Sequence, residues 1–209
     1  MKEHPILFNG EMVKAILGGR KTQTRRIIKS QPNYIRFNQV VLNNHVGFED
    51  EHGNPIKCPF GKVGDRLWVR ETFWISQSEN GILYRADIPM HWDAKDTECE
   101  INDINLKAEE YKWKPSIHMP RMASRIALEI VDIRVERLQD ITESDARADG
   151  ITTEKPKSAY WENRNNFAVS EFMGLWESIY SKHGCGWFTN PWVWVVEFKM
   201  LEAKQCITA

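Results

Sequence analysis

The chain is poor in the residues that build metal and disulfide scaffolds. Its four cysteines, Cys58, Cys99, Cys185 and Cys206, are scattered over 209 residues with no C-x-x-C pair, and no two histidines stand at ligand spacing. That pattern excludes a zinc ribbon and a disulfide framework, and leaves reduced structural thiols. His183-Gly184-Cys185 has no second pair nearby and is discounted as a metal site. No metal and no cofactor are expected. No apolar run approaches the length of a membrane span, and the start, Met1-Lys2-Glu3-His4-Pro5-Ile6-Leu7-Phe8, is too short and too polar for a secretory signal. A cytoplasmic protein with no membrane partner is therefore expected. Internal repeats and low-complexity tracts are absent as well.

One absence is local. The 37 residues from Met12 to Phe48 contain no Asp or Glu but seven Lys/Arg: Lys14, Arg20, Lys21, Arg25, Arg26, Lys29 and Arg36. The formal net charge of −1 thus hides a +7 stretch set against −8 in the rest of the chain. A field of that sign suits phosphate or another anion. Its densest part is Gly18-Gly19-Arg20-Lys21-Thr22-Gln23-Thr24-Arg25-Arg26, a glycine pair followed by cations interleaved with hydroxyls. Nine Trp and nine Phe supply large rigid surface for a core or for stacking. A chain of 24.5 kDa can bury on the order of 70% of its surface in one domain with insertions.

Met12, Ala15 and Ile16 at i, i+3 and i+4 predict a short helix over Glu11–Leu17, ended by Gly18-Gly19. Lys21–Ile28 reads as extended, with Thr22, Thr24 and Arg26 on one face and Lys21, Gln23 and Arg25 on the other. Further strands are expected at Ile35–Leu42, Arg66–Ser76, Ile82–Arg85, Arg125–Arg137 and Trp192–Met200. The Ile126, Leu128, Ile130, Ile133, Val135 series slips register near Asp132, which predicts a bulge. Gly64-Asp65 reads as the turn entering the Leu67-Trp68-Val69 strand. Helices are expected over Ile141–Ala148, with an N-cap Thr and Gly150 beyond it, and over Asn166–Lys182. Trp192 and Trp194 read as core, on a strand buried on both faces. The fold class is α+β, a small antiparallel β-barrel flanked by short helices and spanning residues 1–209 as one domain. Surface insertions are expected near 77–115, around the acid-rich Asp93–Glu110, and near 152–165, around Lys155-Pro156-Lys157.

Four blocks carry a resemblance. They are Ile6-Leu7-Phe8 leading into the helix, Gly19-Arg20-Lys21-Thr22-Gln23-Thr24-Arg25-Arg26, Gly64-Asp65-Arg66-Leu67-Trp68-Val69-Arg70-Glu71, and Asn190-Pro191-Trp192-Val193-Trp194-Val195-Val196-Glu197-Phe198. In order and spacing they resemble the ASCH (ASC-1 homology) family, with its PUA-like β-barrel, and look closest to the longer members encoded by phages and prophages. The resemblance implies binding of RNA or a modified nucleoside across one face of the barrel. It also implies hydrolysis in some members: small bacterial relatives cleave the amide of N4-acetylcytidine with a Lys, a Thr and a Glu, and another branch has ribonuclease activity. Carried onto this sequence, the Lys falls on Lys21, the Thr on Thr24 and the Glu on Asp149, one methylene shorter. A catalytic group misplaced by about 1 Å can cost roughly a hundredfold, and Glu71 is the alternative carboxylate.

The residues allow two chemistries. Crowding by Arg20, Arg25 and Arg26 lowers the pKa of Lys21 from its ordinary value of about 10.4. A neutral Lys21 could then take a proton from Thr24, or from water attacking an amide carbon, with a backbone N–H near Gly19 holding the oxyanion. Residues 21 and 24 face opposite ways in a regular strand, so this needs a turn or bulge after Gly19. Alternatively Lys21 stays charged and binds phosphate, with Thr22 and Thr24 as hydroxyl contacts, in a non-catalytic RNA-binding module. Arg20, Arg25, Arg26 and Arg70 are candidate nucleic-acid contacts, as are His118 and Arg121, which lie in the proline-punctuated segment after Trp113. Such a segment can stack on a base and hold phosphate. Protein partners are not indicated.

Overall fold

The computed structural model describes residues 1–38, 47–75, 81–87, 112–152 and 167–203. Asp93–Glu110, Lys155–Lys157, Cys99, Cys206 and the second half of the expected Ile35–Leu42 strand lie outside them. The elements in chain order are β1 (Glu3–Leu7), α1 (Gly10–Leu17), β2 (Gln23–Ile27), β3 (Arg36–Asn38), β4 (Gly47–Glu49), β5 (Pro55–Ile56), β6 (Arg66–Arg70), β7 (Phe73–Ile75) and β8 (Ile82–Tyr84). After them come β9 (Ile126–Arg137), α2 (Glu143–Ala148), α3 (Phe167–Tyr180) and β10 (Trp192–Ala203).

This is a mixed α+β arrangement. The main sheet runs β1-β6-β9-β10-β2, with β3-β4-β5 and β7-β8 as small satellites. β1 lies parallel to β6, and the other three ladders of the main sheet are antiparallel. Among the described residues no ladder joins β1 to β2, so the sheet has two edges.

The long strands owe their form to alternation. On β10, Trp194, Val196 and Phe198 enter one core with Leu67, Val69, Leu128 and Ile130, capped by Val13 and Ile16 of α1. Val193 and Val195 enter a second core with Leu138, Ala146, Phe172 and Trp176 beneath α2 and α3. The strand is thus buried on both faces, as its sequence predicted, with Trp194 fully inside and Trp192 partly so. Trp194 meets Phe48 edge-on, with ring centroids 5.1 Å apart; losing a buried aromatic of this size costs about 3–5 kcal/mol. The expected bulge is present: Glu197 pairs with Asp132 and Phe198 with Ile130, leaving Val131 as the extra, exposed residue.

The expected strand Arg66–Ser76 divides into β6 and β7, with Ser76 outside the described residues. Glu71 at the break turns inward to Arg125, and from Thr72, whose carbonyl accepts from the Arg85 N–H at 2.9 Å, the chain leaves β1 and β9 to pair with β8. β1 was not foreseen as a strand; it is the outermost strand beside β6.

Candidate functional site

The basic cluster is placed by how α1 ends. Asn9 caps the helix by accepting from the Met12 N–H at 2.9 Å. At the other end Gly19, at φ +69°, takes the left-handed conformation that a glycine tolerates. The turn is tight enough that Arg20 and Lys21 both donate their N–H to the Ala15 carbonyl, at 2.9 and 3.0 Å. Gly18 donates to Lys14, Gly19 to Ile16 and Thr22 to Ala148. The expectation of an oxyanion donor near Gly19 is therefore corrected: every N–H from Gly18 to Thr22 is already committed, those of residues 18–21 to the end of α1 and that of Thr22 to α2.

Lys21 comes to rest against the end of α2. It forms an isolated antiparallel bridge with Asp149, and its Nζ donates to the Asp149 carbonyl at 2.7 Å and to Asp149 Oδ1 at 3.4 Å. A cation at a helix C-terminus is well placed electrostatically. The opposing Gly150 adopts φ +93°, and a Cβ there would come within 3.1 Å of the Cβ atoms of Ala15 and Lys21. α2 itself is fixed by a capping box between Thr142 and Asp145.

The other Asp149 oxygen is held by the Arg25 guanidinium and, at 3.4 Å, by Gln23 Nε2. Arg25 has no exposed side-chain surface; it also reaches Glu136 at 3.3 Å and Asp145 at 3.6 Å. Gln23 donates to the Asp145 carbonyl at 2.8 Å, and Arg134 joins Asp145 at 3.2 Å and pairs with Glu197. Lys21, Gln23 and Arg25 thus share one face, as the alternation predicted, and that face is neutralised by acids of residues 132–149. Lys21 is 3% exposed. Burial pulls its pKa down to about 8, against the upward pull of Asp149 and with smaller downward pushes from Arg26 and Arg25. The cause foreseen for this lysine, crowding by Arg20, Arg25 and Arg26, is secondary: desolvation, which was not foreseen, dominates, and of the three arginines only Arg26 and Arg25 contribute.

Thr24 lies on the opposite face, buried, paired in register with Val196. Among the described residues no hydrogen bond joins its hydroxyl to Lys21 or Asp149; the turn after Gly19 does not bring the pair together. Glu71 belongs to a different cluster. It is 1% exposed and receives Arg125 in a two-pronged pair at 2.9 and 3.0 Å. Arg125 also bonds Asp87 at 2.6 and 2.8 Å and stacks on Tyr84, its Cζ 4.0 Å from the ring centre. Burial raises the Glu71 pKa in spite of that partner. The cluster ties β6 to β9 and leaves Asp149 as the carboxylate beside Lys21.

Among the nucleic-acid candidates, Arg20 and Thr22 are exposed. Arg26 is half-buried; its Nη2 donates to the Leu7 carbonyl at 2.6 Å, crossing from β2 to β1, and its Cζ lies 5.3 Å from the Phe8 ring centre. Arg70 donates to the Ile117 carbonyl and stacks on Trp68. Arg121 is exposed but pairs with Glu3 at 2.8 Å and lies 5.9 Å from the Trp68 ring. His118 is exposed on a short 3-10 turn. Asp65 is the structural acid of its turn, accepting from the Lys2 N–H at 2.7 Å and the Lys62 N–H at 3.2 Å. Gln23, Arg134, Glu136 and Asp145 were not foreseen. The alternation that put Gln23 and Arg25 on the face of Lys21 pointed to the first; the acids facing it come from strand pairing that the sequence does not display. No group of metal-ligating side chains occurs among the described residues. No protein-family model matches the chain, and no curated protein or solved structure is significantly similar to it.

Proposed function

We propose that this chain is an ASCH-type protein with a PUA-like barrel that works in the cytoplasm on RNA or a modified nucleoside, hydrolysing the amide of an N4-acylated cytidine. The observation that carries this reading is the buried Lys21 Nζ, with its pKa near 8, beside the Asp149 carboxylate at 3.4 Å. A lysine of that pKa is about one-fifth neutral near pH 7.4, enough to act as a base while remaining a good acid for the return of the proton. The barrel is supported by Arg26, whose bond to the Leu7 carbonyl spans the two sheet edges.

In this reading neutral Lys21 takes a proton from the attacking oxygen as the new C–O bond forms at the amide carbon. It then returns the proton to the cytidine nitrogen as the C–N bond breaks, releasing the carboxylic acid and cytidine. Water is the simplest nucleophile. Thr24 would serve only after a rotation or shift that brings its hydroxyl to the Lys21 side. Asp149 holds the ammonium form through its side chain and its carbonyl, so it positions the lysine. With the N–H groups of residues 18–22 committed, the developing oxyanion falls to a donor outside that turn.

One observation favours a second reading, a non-catalytic RNA-binding module: Arg25 already neutralises Asp149, so the buried cluster also serves as a structural ion network. The two are separated by incubating wild type and Lys21→Ala with N4-acetylcytidine and following free cytidine. Turnover in wild type that is lost in Lys21→Ala supports the hydrolase. No turnover in wild type, or equal turnover in both, sinks it.

A further inference from the structure

Beyond the Lys21 cluster, the end of β2 and the stretch from the β4–β5 turn through β5 to Phe60 line a cleft of about 660 Å³, a size within the ~300–1,000 Å³ typical of ligand sites. Three cations line it: Arg26, Lys29 and Lys57. Asp50 is the acid among its lining residues, and that carboxylate is turned into its own loop, accepting from the His52 and Asn54 N–H groups at 2.9 and 2.8 Å and from Asn54 Nδ2 at 2.9 Å. Lys29 and Lys57 are exposed, with no ion pair among the described residues. The Nε of Arg26 is buried without a partner.

This contrasts with the rest of the basic stretch. Lys21 and Arg25 are neutralised by Asp149, Asp145 and Glu136, and Lys14 pairs with Glu11 at 3.2 Å. Of the cations of the +7 stretch without an ion pair among the described residues, Arg26 and Lys29 meet at the cleft, where Lys57 joins them and apolar walls strengthen their field, while Arg20 and Arg36 lie outside it. The half-buried rings of Phe60 and Tyr180 line the same space and offer surface for a base. Cations beside aromatic rings recognise a phosphate joined to a flat heterocycle.

We propose that this cleft is a nucleotide-phosphate site, in which Arg26, Lys29 and Lys57 hold the phosphate of a cytidine nucleotide, free or within an RNA strand, and the aromatic wall packs on a base. Cytidine is chosen on the strength of the hydrolase reading; the cleft and its charges stand apart from it. Arg26 lines the cleft, and its Cζ and the Lys21 Nζ lie 5.3 and 5.6 Å from the same Phe8 ring centre, so a phosphorylated substrate could be held with its base toward the buried cluster.

The test is fluorescence anisotropy with a labelled oligocytidylate at low salt, which reads binding and is independent of turnover. Lys29→Glu/Lys57→Glu should weaken binding about tenfold or more and flatten its salt dependence, since the slope follows the number of phosphates neutralised. Lys112→Glu/Lys114→Glu, which changes the net charge equally at exposed lysines outside the cleft lining, on the segment bridged to β7, should weaken it by less than about threefold. Cytidine monophosphate that displaces the probe identifies a free nucleotide as sufficient; displacement by unlabelled oligonucleotide alone identifies the strand. Equal losses in the two double variants, or no binding by wild type at low salt, overturn the site. A protein that binds through the cleft but does not deacylate would refute the hydrolase and leave the site standing.

Discussion

Lys21→Met removes a buried charge while keeping a side chain of similar length, and its effect on stability should depend on pH in a way set by the burial itself. Folding lowers the Lys21 pKa from the ordinary 10.5 to about 8. Between those values the unfolded chain binds more protons than the folded one, so stability rises with pH across that window. Below it both states hold the proton and the cost of burying the charge is present in full; above it both have lost the proton and the cost is gone. At about 1.4 kcal/mol per pH unit the whole effect is about 3 kcal/mol. The methionine variant has no such titration. Urea unfolding of both proteins, followed by tryptophan fluorescence at steps from pH 7 to 11, gives the stability difference at each pH. Groups common to both, including the half-buried Cys58 thiol, which desolvation pushes up to about 11, cancel in that difference. The difference, wild type minus variant, should rise by about 3 kcal/mol from pH 8 to 10.5. A difference that stays constant across the window would refute the burial argument.

Asp149→Asn leaves Lys21 and Arg25 buried without their shared counter-charge, so urea unfolding at pH 7 should show a loss of about 3–5 kcal/mol, and the Lys21 pKa, read by lysine NMR, should fall further below 8 because the upward pull of Asp149 is gone. Gly150→Ala should cost about 1–3 kcal/mol, since it combines a positive φ with a Cβ pressed against Ala15 and Lys21; thermal melts check this, and Gly53→Ala, positive in φ but open in space, should cost less. Thr142→Ala removes the capping box of α2 and should cost about 1 kcal/mol by denaturant titration, with the Lys21–Asp149 contact loosened as the helix end frays.

Local chemistry carried much of the fold into the sequence. The α1 stop at Gly18-Gly19, the Thr142 cap, the bulge beside Asp132 and the double burial of β10 all follow from residues within a few positions of each other. The facing of Lys21, Gln23 and Arg25 followed from strand alternation in the same way. What the sequence hid was long-range. Asp149 is 128 residues from Lys21, and its approach was expected only through a family resemblance. The capture of Arg25 by Glu136 and Asp145, and of Glu71 by Arg125 and Asp87, depends on which strands pair. The basic run therefore looked like one anion-binding surface, whereas Lys21 and Arg25 belong to a buried ion network and Arg26 and Lys29 line a cleft. Arg66–Ser76 read as one strand because nothing nearby signals that Glu71 turns inward.

The pH dependence of kcat/KM for N4-acetylcytidine hydrolysis tests Lys21 as the base most directly. The rate should climb about tenfold per pH unit below pH 8 and level off above it, following the lysine's titration near 8, and Lys21→Met should show no turnover at any pH. A wild-type profile that is flat through pH 8, or a Lys21→Met protein that still releases cytidine, would contradict the account.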